Sequence, residues 1–169
     1  MGYVKIDTDL FGKLEIPVKE GLMEDYTIDI DGKAINTTLY ILENFIDSEN
    51  VRIVKHFLEN IVKMYETAKE EILENRDTDE TIRFFIDNER DNMDEENLSQ
   101  IFQTDSTDNV TDERFVEKLE PRLIRIAPND DTGHIECSFD LSLGEEYSDE
   151  LLVVSFNQQL SVDYVTHES

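Results

Sequence analysis

The groups best able to do chemistry in this chain are one cysteine, three histidines and 41 carboxylates, spread over 169 residues. The tightest constellation is His134-Ile135-Glu136 followed directly by Cys137. A His-x-Glu pair beside a thiolate resembles one arm of a zinc deaminase, in which a glutamate moves protons next to a metal-bound water. That chemistry also needs a Cys-x-x-Cys arm, and one cysteine cannot supply it. On a strand His134 and Glu136 share one face, so a mixed zinc site is the sharp reading. The plainer and preferred reading is a surface pair on the wet side, with Cys137 buried beside Phe139.

The abundance of acids raises calcium next. Asp7-Thr8-Asp9-Leu10-Phe11-Gly12 offers the first two ligands and the glycine of a calcium loop. It then places Phe11 at the fifth position and Val18 at the twelfth, where oxygen ligands are required. Residues 129–133 lack both the register and the closing glutamate. Nucleophilic catalysis has little to work with. Cys137 sits at an inward position among acids, which opposes thiolate formation, and the chain has neither a Gly-x-Ser-x-Gly elbow nor a phosphate-cradling glycine loop. Carboxylate pairs at glycosidase separation carry no information when acids are this common. His56 reads as a surface residue, and His167 carries no signal. No cofactor is implied.

What remains is charge. Acids outnumber bases 41 to 15, for a formal net of -26. Such a polyanion repels DNA, RNA and anionic lipid, because no condensed counterions are released on contact. It attracts basic proteins. The densest stretch, residues 70–113, holds sixteen acids against Arg76, Arg83 and Arg90. One reading is a docking face for a basic partner, or a mimic of nucleic-acid charge, with Asp87, Glu89, Asp91, Asp94, Glu95 and Glu96 as contact residues. The rival reading is a solvated helix surface that serves solubility.

The elements that must carry these groups follow from hydrophobic period. Leu10, Phe11, Leu14 and Ile16 around Gly12 predict strand. Tyr26, Ile28 and Ile30 alternate with polar residues up to Asp31-Gly32, and Ile35, Leu39 and Ile41 resume beyond it. Asp-Gly suits the positive φ values of a type I′ turn, and a two-residue loop sets Ile28 opposite Ile35. From Val51 the period changes: Val54, Phe57, Leu58, Ile61, Val62, Tyr65, Ala68 and Ile72 predict one helix over 49–74. Asp47 or Ser48 would cap it, and Glu59 would pair with Lys63. A second helix is expected after Asp77 or Thr78, with Asp79 and Glu80 in its first turn and Ile82, Phe85 and Ile86 buried. A third, short one carries Leu98, Ile101 and Phe102; 103–109 reads as loop, and 111–119 as a fourth helix burying Phe115, Val116 and Leu119. Strands return with Leu123, Ile124 and Ile126, then Ile135 to Leu141, then the apolar run of Leu151 to Phe156. Leu160, Val162 and Tyr164 close the pattern. The order strands, helices, strands predicts one α+β domain over 1–169: a mostly antiparallel β-sheet built from an N-terminal hairpin and a C-terminal meander, with the central helices packed on one face.

In layout and in several short stretches the chain resembles a bacterial family described only as domain of unknown function two thousand and four. The resemblance rests on Phe11-Gly12-Lys13-Leu14, the Asp31-Gly32 hairpin, the long helix, Thr81-Ile82-Arg83-Phe84-Phe85, Phe115-Val116-Glu117-Lys118-Leu119, Leu151-Leu152-Val153-Val154 and the closing Glu168-Ser169. It implies a small bacterial intracellular protein and carries over no active-site residue. A lone cysteine, no apolar leader core in 1–20 and no membrane-length apolar run lead to a cytoplasmic expectation. The functional expectation is a non-enzymatic acidic module that engages a basic protein partner, for instance an immunity protein that neutralises a toxin, and does not bind nucleic acid or membrane. The alternatives are a carboxylate-based or metal-dependent enzyme and a structural homo-oligomeric component.

Overall fold

A computed structural model of the chain describes residues 3–17, 22–41 and 48–169. Strands β1 (Tyr3–Thr8) and β2 (Gly12–Pro17) form a separate antiparallel ribbon. Strands β3 (Leu22–Ile30) and β4 (Lys33–Ile41) begin the main sheet. Five helices follow: α1 (Ser48–Glu59), α2 (Ile61–Asn75), α3 (Glu80–Asp91), α4 (Glu95–Asn97) and α5 (Asp112–Glu117). The chain then returns through β5 (Glu120–Pro128), β6 (Ile135–Ser142), β7 (Leu151–Phe156) and β8 (Val162–Glu168). The six-stranded sheet has the order β3-β4-β5-β6-β7-β8. Every neighbouring pair is antiparallel except β4 and β5. The helical segment is the crossover that makes this one pair parallel. The fold is α+β.

The β3–β4 hairpin forms for the reason its sequence suggests. Asp31 and Gly32 take φ values of 53° and 82°, and Ile28 pairs with Ile35. Positive φ at both loop residues gives the turn a twist that matches the flanking strands. Strand alternation then decides what is buried. Ile28, Ile30, Ile35, Leu39, Ile124, Ile126, Ile135, Cys137, Phe139, Leu141, Leu152, Val154 and Phe156 lie on one side, in one cluster with the buried helix residues. Phe139 and Phe156 meet edge to face at 5.6 Å, and Phe115 stacks on Phe102 while meeting Phe85 edge-on.

Four expectations need correction. The helix predicted over 49–74 is two helices, broken at Asn60. The Asn60 side chain donates to the His56 carbonyl at 2.8 Å while its backbone N–H turns to Phe57 O at 3.0 Å. An asparagine that competes for the i−4 carbonyl interrupts the ladder. The buried stripe keeps its spacing across the break through Phe57, Ile61, Met64 and Ala68, and Val62, expected in it, is exposed while Met64 is in the core. Glu59 therefore ends α1 and pairs with Lys55, not with Lys63. Of the two expected caps, Asp47 lies outside the described residues and Ser48 is the first residue of α1. In the second helix Asp79 is the N-cap rather than a first-turn residue; its carboxylate accepts from the N–H groups of Thr81 and Ile82 at 2.9 and 3.2 Å.

The short helix around Leu98 is mostly a π-helical turn, Leu98–Phe102, closed by Gln103 at a φ of 55°. In β8, a register shift opposite Ser155 and Phe156 leaves Asp163 extra. Beyond that bulge Val165 pairs with Val154 on the core side, and Tyr164 lies on the opposite face with Ser155. Leu160 is a turn residue at a φ of 61°, so the expected alternation of Leu160, Val162 and Tyr164 does not persist. Among the described residues no helix is long and apolar enough to cross a membrane.

Candidate functional site

The acidic stretch folds around its own arginines. Asp112, just inside α5, accepts from Arg83 at both carboxylate oxygens and from Arg90 at 3.2 Å, and Arg76 Nε stands 3.2 Å away. Asp87, one turn along α3 from Arg83, accepts from Arg83 and from Arg90 at 2.8 and 2.7 Å. All three arginines of the segment are thus committed to Asp87, Asp112 and Glu113. Hydrogen bonding to Arg83, reinforced by Arg90, holds the Asp112 carboxyl below the usual aspartate range. This network ties α3 to α5 and to the end of α2.

The contact residues expected from sequence separate into groups. Asp87 and Asp91 lie on the outer side of α3. Glu80, Phe84, Asp87, Asn88 and Asp91 recur three and four apart there and line an open groove of about 590 Å³ with Asp77, Asp79, Arg83 and Asn92. Phe84 is 55% exposed in the middle of these acids. Asp94, Glu95 and Glu96 are exposed one turn further on, where Asp94 caps α4 through Asn97 N–H and Glu96 accepts from Gln100. Glu89 does not belong with them. It falls on the inward stripe with Ile82, Phe85 and Ile86 and is only 8% exposed.

Glu89 belongs instead to a cluster that sequence reasoning missed. Ser148 Oγ donates to Glu89 Oε1 at 3.0 Å and accepts from the Glu150 N–H at 3.0 Å. Glu150 contacts His167 Nε2, and the His167 ring lies 5.5 and 5.8 Å from the rings of Phe84 and Phe85. Burial pushes the Glu89 carboxyl up; the Ser148 bond opposes this, Glu150 adds to it, and His167 also opposes it. The sequence carried half of this signal. Glu89 sits three residues after Ile86 on a buried stripe, but the inward position of His167 depends on the β8 bulge.

The opposite face of the sheet is polar. Strand pairing lines up Asp25, Thr38, Arg125, Ser138, Ser155 and Tyr164 in a row from β3 to β8. Beside it Glu136 accepts from Tyr164 OH at 2.6 Å and from Asn129 at 3.1 Å. Glu136 is thus engaged within the sheet, while His134 precedes β6 and is exposed. Cys137 is fully buried beside Phe139 on the core side, and desolvation pushes its thiol well up. Among the described residues no three His, Cys, Asp or Glu side chains are placed to hold a metal ion. No protein-family model, curated protein or solved structure matches the chain.

Proposed function

We propose that this chain is a non-enzymatic, strongly acidic binding module that engages a basic protein partner through the outer face of α3. The observation that carries the reading is Phe84, an aromatic side chain left 55% exposed among Glu80, Asp87 and Asp91. An exposed aromatic ringed by carboxylates suits a lysine or arginine side chain, whose stem packs on the ring while its charge meets the acids. The internal pairing of Arg76, Arg83 and Arg90 supports this. Those cations stitch helices together, so Asp91, Asp94, Glu95 and Glu96 face solvent at the end of the groove.

A concrete form is an immunity protein that covers a cationic cleft of a toxin in the cytoplasm, in keeping with the resemblance to the bacterial family of unknown function. Nucleic acid and anionic membranes are repelled by the same field. The experiment is capture of a basic partner at low salt, followed by titration calorimetry with the purified pair. Phe84→Ala should weaken binding by at least tenfold, and Glu80→Gln with Asp91→Asn, two exposed acids of the groove outside the arginine network, should reduce its salt dependence. Binding that is indifferent to salt and to Phe84 would sink the reading.

A further inference from the structure

We propose that Glu89, Ser148, Glu150 and His167 form a proton-operated clasp that holds the C-terminal half of α3 on the β7–β8 end of the sheet and loosens as protons leave. Three chain segments meet there. Glu89 comes from α3, Ser148 and Glu150 from the connection into β7, and His167 from β8. Glu89 stands on the buried stripe of its helix, where an unpaired carboxylate is costly. Its hydrogen bond is to Ser148, and the charges that bear on it are Glu150 and His167. The other side chains packed on His167 are the rings of Phe84 and Phe85, and its strand partner on β7 is Leu152. The imidazole thus stands between α3 and the sheet, beside the Phe84 and Phe85 rings and in contact with Glu150.

The cluster therefore holds two carboxyl groups and one imidazole. With the imidazole neutral and both carboxylates charged, the part-exposed Glu150 adds its negative charge to that of Glu89 on the buried stripe, the two being joined through Ser148. A proton on His167 gives Glu150 a charged partner. A proton on Glu89 removes the remaining repulsion and the desolvation cost. Both uptakes favour the closed arrangement. For Glu89 the sign is explicit. Burial raises its carboxyl in the folded chain, so its stabilising contribution is full below the ordinary glutamate value and falls as pH rises from there through the raised folded value.

The test is hydrogen exchange of the α3 amides in the full chain, corrected for intrinsic rate, at about pH 5, close to the ordinary glutamate value, and at about pH 8. The wild-type protection ratio between the two pH values should exceed that of the Glu89→Gln, His167→Gln double variant severalfold, since a linked proton supplies up to about tenfold per pH unit. General self-repulsion is common to both chains and cancels. Glu89→Gln alone, which mimics the protonated side chain, should raise α3 protection at the higher pH severalfold. Equal ratios in the two chains, or a Glu89→Gln chain no better protected than wild type at the higher pH, would overturn the clasp.

Discussion

Arg83 and Asp112, 29 residues apart in sequence, form a two-pronged ion pair with both N–H···O distances at 3.0 Å or less. The fork geometry of arginine matches a carboxylate, and the pair fastens α3 to α5. Asp112→Asn should cost about 2–3 kcal/mol, since it leaves three guanidinium groups facing a neutral side chain. Urea unfolding measures it. Because the folded Asp112 carboxyl lies below its unfolded value, its contribution is fully present above pH 3.8, the ordinary aspartate value, and is lost as pH falls through the folded value. The difference between wild type and variant should shrink on that acid limb; a difference independent of pH would refute the ion-pair account.

Cys137 has no exposed surface and its thiol is pushed up by burial. A thiol reagent should label it only as fast as the chain unfolds. Labelling rates in increasing urea should follow the unfolding curve. Prompt labelling in buffer would contradict its place between the sheet and the helices.

The Asp31-Gly32 turn predicts a pair of opposite results. Gly32 has a φ of 82° with open space around the position of a side chain. Gly32→Ala should therefore cost about 1–2 kcal/mol from backbone strain alone. Asp31→Asn keeps a residue tolerant of positive φ and should be neutral within about 0.5 kcal/mol. Thermal unfolding of both variants checks this.

A net charge of -26 on 169 residues should make the fold salt-dependent. Raising sodium chloride from low ionic strength should increase the melting temperature, because screening relieves repulsion among exposed acids. A fall would mean that the internal arginine network outweighs that repulsion.

The legible parts of the molecule were those set by local chemistry. Period-two alternation in Ile135 to Leu141 and the Asp-Gly turn each specify geometry within a few residues, and both strands and turn form as expected. The break at Asn60 was less visible, since the apolar stripe continues across it and only the Asn60 side chain disrupts the ladder. Which acids face outward was partly readable. Glu89 shares the three-and-four spacing of Ile82, Phe85 and Ile86, whereas Phe84 falls on the outer face with Glu80, Asp87 and Asp91. The convergence of Arg76, Arg83 and Arg90 on Asp112 was not readable, because it depends on how α5 returns against α3. The His167 contacts were hidden for a similar reason. One extra residue in β8 exchanges which side chains point inward.

That extra residue, Asp163, also bears on what the protein does when crowded. Among the described residues the six-stranded sheet ends in two strands that each lack a neighbour on one side, and such edges invite another strand to zip on. At one end the bulge twists β8 and sets a carboxylate in the way of a flat approach. At the other, β3 carries Glu24, Asp25 and Asp29. Two copies brought edge to edge would have to press these acids together. Acids on both edge strands thus oppose edge-to-edge pairing of two copies through this sheet.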